Sequence, residues 1–155
     1  MLRMLLLGAA AGAAGTTALN AATYVDMAAR GRPTSSTPED TVEAIADLAD
    51  ATVPGDEKAQ PNRLTGLGAL TGIAAGVGVG AAYGVARMAG WRPGVLVGTL
   101  ATTVAVEVAG NGPMTLLGVT DPRTWPASSW AADLLPHLAY GVVTAAVMSA
   151  LDTDD

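Results

Sequence analysis

The sequence predicts an all-α integral membrane protein: a four-transmembrane-helix bundle with a short amphipathic loop helix. Three observations carry that prediction. Charge is segregated, with 12 of the 22 charged residues lying between Asp26 and Arg63. Outside that segment run four long stretches almost free of charge: 22 residues over 4–25, 23 over 64–86, 28 over 93–120 broken only by Glu107, and 18 over 134–151. A helix needs ~20 apolar residues to cross ~30 Å of hydrocarbon, and a 155-residue soluble fold cannot wrap four such helices in a protein shell. The three tryptophans, Trp91, Trp125 and Trp130, each stand just outside a charge-free run, at the level where indole rings anchor at the headgroups.

The first span is predicted over 4–25. Arg3 followed by Met4-Leu5-Leu6-Leu7 resembles the start of a signal peptide, and Ala18-Leu19-Asn20-Ala21 is a passable cleavage region. The apolar character runs on through Tyr24, however, longer than a signal core, so a retained helix is expected. The hydrophilic loop 31–63 follows. Within it Ser36-Thr37-Pro38-Glu39-Asp40 reads as a helix start, with a hydroxyl cap, proline in the first turn and acids facing the positive helix end. Val42, Ile45, Leu48 and Ala49 then recur at helical spacing, giving an amphipathic helix over 38–52. Its acidic face suits docking on its own bundle or on a partner better than lying on anionic lipid. Residues 55–63 read as a flexible linker.

The second span, 64–88, carries Gly68, Gly72, Gly76, Gly80 and Gly84, one glycine every fourth residue. Helices in lipid associate through close van der Waals approach, and small residues at this spacing permit it. Gly8, Gly12 and Gly15 begin a similar stripe in the first span, and Gly90, Gly94 and Gly98 lead into the third. The five of the second span with Gly8, Gly12, Gly94 and Gly98 are the nine expected packing positions, within one chain or between copies. A phosphate-binding loop at Gly76-Val-Gly-Val-Gly is excluded by the missing strand and lysine. The third span, 94–116, contains Gly110-Asn111-Gly112-Pro113, expected to break or kink it. Residues 121–130 read as an interfacial loop, and the fourth span covers 131–151. Gly72–Ala86 aligns with His137–Leu151, and Thr16-Thr17 matches Thr102-Thr103, so the chain also reads as a tandem 2+2 hairpin repeat. Arg3, Arg87 and Arg92 fall on the side of the termini, and Arg30, Arg32, Lys58, Arg63 and Arg123 on the other. The positive-inside count therefore leans towards a cytoplasmic long loop.

Candidate chemistry is confined to a few polar residues in the spans. Glu107 is the one ionisable group deep inside a charge-free run, and such groups cost ~2.5–3.5 kcal/mol at mid-bilayer unless they face the bundle interior with partners. Asn111 lies one turn beyond it, Asp133 and His137 are spaced i, i+4 in the fourth span, and Asn20 sits in the first. This set is a candidate intramembrane polar cluster, either structural glue or a proton or cation relay with His137 titrating near neutrality. No catalytic residues are expected. With one histidine, no cysteine and one lysine in a loop, no haem, thiolate metal site or Schiff base can be assembled, so no cofactor or metal is expected. The net charge of −6 argues against a nucleic-acid partner. The partners left are membrane lipids, a second copy, or a larger membrane complex.

The blocks Gly-Ala-Ala-Gly-Thr-Thr-Ala-Leu-Asn at 12–20, Arg-Gly-Arg-Pro-Thr-Ser-Ser-Thr-Pro-Glu at 30–39, Leu-Leu-Gly-Val-Thr-Asp-Pro-Arg-Thr-Trp at 116–125 and Pro-His-Leu-Ala-Tyr-Gly at 136–141 resemble those of small multi-pass membrane proteins of actinobacteria. The resemblance spans nearly the whole chain. It implies a plasma-membrane location and carries over no activity. The function expected is therefore that of a non-enzymatic accessory or structural membrane subunit. The alternative is a small proton- or cation-coupled transporter or channel using Glu107 and His137.

Overall fold

A computed structural model describes residues 1–152; Thr153, Asp154 and Asp155 of the acidic C-terminal tail lie outside the described residues. The fold is all-helical: α1 (Leu2–Arg30), α2 (Thr37–Leu48), α3 (Ala59–Met88), α4 (Val95–Leu116) and α5 (Ala127–Leu151), with a 3₁₀ turn at Pro122–Thr124. The helices α1, α3, α4 and α5 are each long and apolar enough to cross a membrane. Even the shortest, α4 with 22 residues, rises about 33 Å.

α1, α3 and α5 are longer than their charge-free runs, because their ends stay helical into the charged flanks, whereas α4 is shorter than its run and ends at Leu116. α1 continues through Asp26 to Arg30, where Asp26 pairs with Arg30 at 2.6 Å and with Arg32 at 2.5 Å. Gly31 then closes it in the left-handed conformation, φ 62°, which glycine adopts without cost. Residues 59–63, expected as linker, are instead the first turn of α3. The Asp56 carboxylate accepts from the backbone N–H of Lys58 and Ala59 at 3.1 and 2.8 Å, and Pro61 sits where its missing donor is not needed. α2 stops at Leu48, short of the expected 52. Its start is as read, with proline, Glu39 and Asp40 in the first turn, but the Ser36 hydroxyl donates to Asp40 rather than capping the backbone. α4 runs unbroken through Gly110-Asn111-Gly112-Pro113, contrary to the expected break. Pro113 lies so near the end that only one intrahelical bond is lost.

The spans pack as a ring in which α1 touches α3 and α5, and α4 touches α5 and α3. Glycine sets the spacing. A methyl group on Gly8 would sit 2.9 Å from the Gly84 Cα, and one on Gly12 would sit 2.9 Å from the Gly80 Cα and 2.6 Å from the Gly76 carbonyl. The backbones of α1 and α3 are thus in direct contact. α5 closes on α4 the same way at Gly141, where an added methyl would lie 2.7 Å from the Thr99 carbonyl and against the Thr103 hydroxyl. The two hairpins echo each other here. Thr16 donates to the Gly12 carbonyl at 2.9 Å and covers Gly76, while Thr102 donates to the Gly98 carbonyl at 2.8 Å and its neighbour Thr103 covers Gly141.

The bundle is tight at the end that carries the termini. Met4, Ala11, Tyr83 and Met148 form its apolar core. Arg87 and Asp152, their side chains 8% and 3% exposed, pair there at 2.8 Å. Towards the opposite end the register Gly8–Gly84, Gly12–Gly80, Thr16–Gly76 does not continue, since no described residue lies within 4 Å of a methyl placed on Gly72. α2 packs against this end of α3 and α4, burying Thr41 and laying Pro38 on Gly68.

Candidate functional site

The site follows from two helical repeats facing each other. In α4, Thr99, Thr103, Glu107 and Asn111 are spaced by four and share one face. In α5, Asp133 and His137 do the same. The Gly98–Ala145 and Thr103–Gly141 contacts run α4 and α5 antiparallel, and continuing that register brings Glu107 level with His137 and Asn111 level with Asp133. Because α4 is not broken, Asn111 stays in line with Glu107.

The four side chains meet. The Asn111 amide donates to Glu107 at 2.7 Å and to Asp133 at 3.0 Å, bridging the two carboxylates. The His137 Nδ1 lies 2.7 Å from the Asp133 backbone carbonyl, 3.4 Å from Glu107 Oε1 and 3.7 Å from Asp133 Oδ1. One donor atom from each of Glu107, Asp133 and His137 falls within 4.8 Å of the others. The side chains are 16–20% exposed. Glu107 Oε1 is buried and takes no hydrogen bond; the Thr103 hydroxyl, one turn deeper, likewise has none. Buried carboxylate oxygens ordinarily find donors, so this inward-facing atom is the chemically least satisfied point of the cluster.

Asn20 is not part of the hydrogen-bonded set. Glu107 takes its amide partner from its own helix, Asn111. Of the nine glycines, Gly8, Gly12, Gly76, Gly80 and Gly84 form the α1–α3 seam. Gly98 packs under the Tyr83 hydroxyl, 2.5 Å from an added methyl, and Gly68 packs under α2. Gly72 and Gly94 have no neighbour within 4 Å. A four-residue step rotates about 40° around a helix of 3.6 residues per turn, so the α3 stripe turns from α2 at Gly68 to α1 at Gly76, with Gly72 between the two.

Below the cluster the interior is polar but sealed. Tyr140 is fully buried and donates to the Gly76 carbonyl at 2.6 Å. Thr102, Thr144 and Thr99 are buried beside it. Gly15, read with Gly8 and Gly12 as one stripe, packs instead against Tyr140 and Thr144 of α5. Sequence reading missed Gly141 as a packing position and the Arg87–Asp152 lock, for which an arginine beside a span was the available signal. The aromatic anchors do pair, Tyr83 with Trp91 at 5.9 Å and Trp125 with Trp130 at 5.2 Å.

No protein-family model matches the chain, and neither the curated proteins nor the solved structures contain a match.

Proposed function

We propose that this multi-pass membrane protein binds a small cation within its span and couples it to movement across the bilayer. This is the transporter or channel reading using Glu107 and His137. The observation that carries it is the convergence of Glu107, Asn111, Asp133 and His137 from two helices, with a buried carboxylate oxygen left without a donor. Two carboxylates at that depth are costly, and structural glue needs at most one. The Tyr140, Thr144 and Met148 layer and the Arg87–Asp152 pair form the barrier towards the termini, which conduction must relax.

The accessory-subunit reading keeps less support. It rests on glycine stripes free to meet a partner, and Gly8, Gly12, Gly76, Gly80 and Gly84 are occupied within the chain. Of the nine, Gly72 and Gly94 remain for a second copy or a larger complex, with Gly66 and Gly78 of α3 also uncovered by the described residues. No bond-making chemistry is assigned in either reading. On the resemblance to actinobacterial proteins, the membrane is the plasma membrane.

The test is ion flux in reconstituted vesicles loaded with a pH indicator or a cation indicator. The reading requires flux above protein-free vesicles that Glu107→Gln abolishes. Equal flux in both proteins overturns it.

A further inference from the structure

We infer that Glu107, Asp133 and His137 are the ligands of a divalent transition-metal ion, with Asn111 as the residue that positions them. This rests on the cation-site reading above and names the class of cation.

Donor chemistry selects the class. Sodium, magnesium and calcium are held by oxygen alone, whereas an imidazole beside carboxylates suits zinc, manganese, iron, cobalt or nickel. Geometry fits the same ions. Ligand atoms at about 2.0–2.2 Å from a tetrahedral metal stand about 3.3–3.6 Å apart. The His137 Nδ1 stands 3.4 Å from Glu107 Oε1 and 3.7 Å from Asp133 Oδ1. All three ligand atoms lie within 4.8 Å of one another, so side-chain torsions that move them by about an ångström close the set to the about 3.3–3.6 Å of a tetrahedral site.

Charge points the same way. Two carboxylates and a neutral imidazole carry −2, and a divalent ion makes the loaded site neutral. A monovalent ion leaves a net charge in a medium that penalises it. The site is also prebuilt. Asp133 with His137, and Glu107 with Asn111, are held one turn apart by their helices, and the Asn111 amide already ties both carboxylates together. The Glu107 Oε1 atom, buried and without a donor, is the vacant valence the ion takes. In this structure His137 Nδ1–H donates to the Asp133 backbone carbonyl at 2.7 Å; binding the ion breaks that bond, the N–H passing to Nε2 on the side of Gly110 so that Nδ1 offers its lone pair. There an added methyl would lie 3.9 Å from Nε2, so the glycine leaves space beside the ring.

The experiment titrates Zn²⁺, Mn²⁺ and Mg²⁺ into the full chain in detergent micelles, carrying no histidine tag, by calorimetry. Co²⁺ serves as a visible probe of the ligand field. The expected result is one Zn²⁺ per chain, Mg²⁺ weaker by about 100-fold or more, and a tetrahedral cobalt spectrum. Glu107→Gln and His137→Gln each weaken Zn²⁺ by about 100-fold or more, and Asn111→Ala by about 10–100-fold. Gel filtration and metal-free thermal unfolding identify any variant that fails to fold, in which case Asp133→Asn reads the same quantity. Zn²⁺ binding no tighter than Mg²⁺, or binding unchanged in these variants, overturns the assignment. If Zn²⁺ does not bind while Glu107-dependent flux of protons or monovalent ions persists, the metal assignment falls and the cation-site reading stands. If Zn²⁺ binds through these residues and no cation moves across vesicles, the site stands and the transport reading falls.

Discussion

Replacing Gly80 with alanine tests the seam on which the bundle is built. A methyl at that position would lie 2.6 Å from the Gly12 backbone nitrogen, and against the Gly12 Cα and the Gly8 carbonyl. All three are backbone atoms, so no rotamer change relieves the clash, and α1 must move away from α3 by most of an ångström. Forcing extra volume into a packed seam costs about 1–3 kcal/mol. Alanine also gains up to about 1 kcal/mol of helix propensity over glycine, which masks part of that cost. Gly78→Ala cancels the mask, because Gly78 lies two residues away in the same helix with nothing within 4 Å of its added methyl. The assay is reversible unfolding of both variants in mixed micelles, followed by the fluorescence of Trp91 against Tyr83. Gly80→Ala is expected to be less stable than Gly78→Ala by about 1–3 kcal/mol. Equal stability of the two would refute the reasoning, since the backbones of α1 and α3 would then not be in contact.

Three further outcomes follow from the same structure. Asp152→Ala leaves Arg87 buried without its carboxylate, and loss of one member of a buried pair costs about 3–5 kcal/mol; thermal unfolding should show it, with Asp152→Asn milder. Tyr140→Phe removes the bond to the Gly76 carbonyl and should cost about 0.5–1.5 kcal/mol, because that carbonyl keeps its place in α3; the same unfolding assay reads it. The Asp56 carboxyl is held below the usual aspartate range by the backbone N–H groups of Ala59 and Lys58. Its contribution to the start of α3 is therefore complete above the unfolded aspartate value of ~3.9 and fades as pH falls through the lower folded one. Amide exchange at Ala59 should rise on that acid limb, and Asp56→Asn should flatten it.

The spans were legible because lipid imposes long apolar runs, and four of them stand out whatever the packing. The seam was legible from Gly76, Gly80 and Gly84, since spacing alone puts them on adjoining faces. Gly72 shares that spacing yet lies between the faces that meet α2 and α1, because which neighbour covers each step of the stripe depends on the packing and not on the spacing. The cluster was legible helix by helix: Glu107 with Asn111, Asp133 with His137. Their meeting depends on the antiparallel register of α4 and α5, which Thr103 on Gly141 sets and no local pattern announces. Asn20 illustrates the converse, being polar and in a span, yet outside the hydrogen-bonded set, whose amide is Asn111. The first turn of α3 was hidden because Pro61, Asn62 and Arg63 look like linker, and Asp56 satisfies the helix start from three residues upstream.

The central claim is that His137 and Glu107 share one cation site inside the span. The chain has a single histidine, so one imidazole signal reports on it without assignment. Solid-state NMR in lipid bilayers, with labelled imidazole nitrogens and glutamate carboxyls, measures the claim directly. The proposed site requires a dipolar coupling between His137 Nδ1 and the Glu107 carboxyl, matching the 3.4 Å separation from Oε1, and a shift of the Nδ1 resonance when Zn²⁺ is added. An imidazole with no coupling to Glu107 and no response to Zn²⁺ would contradict it.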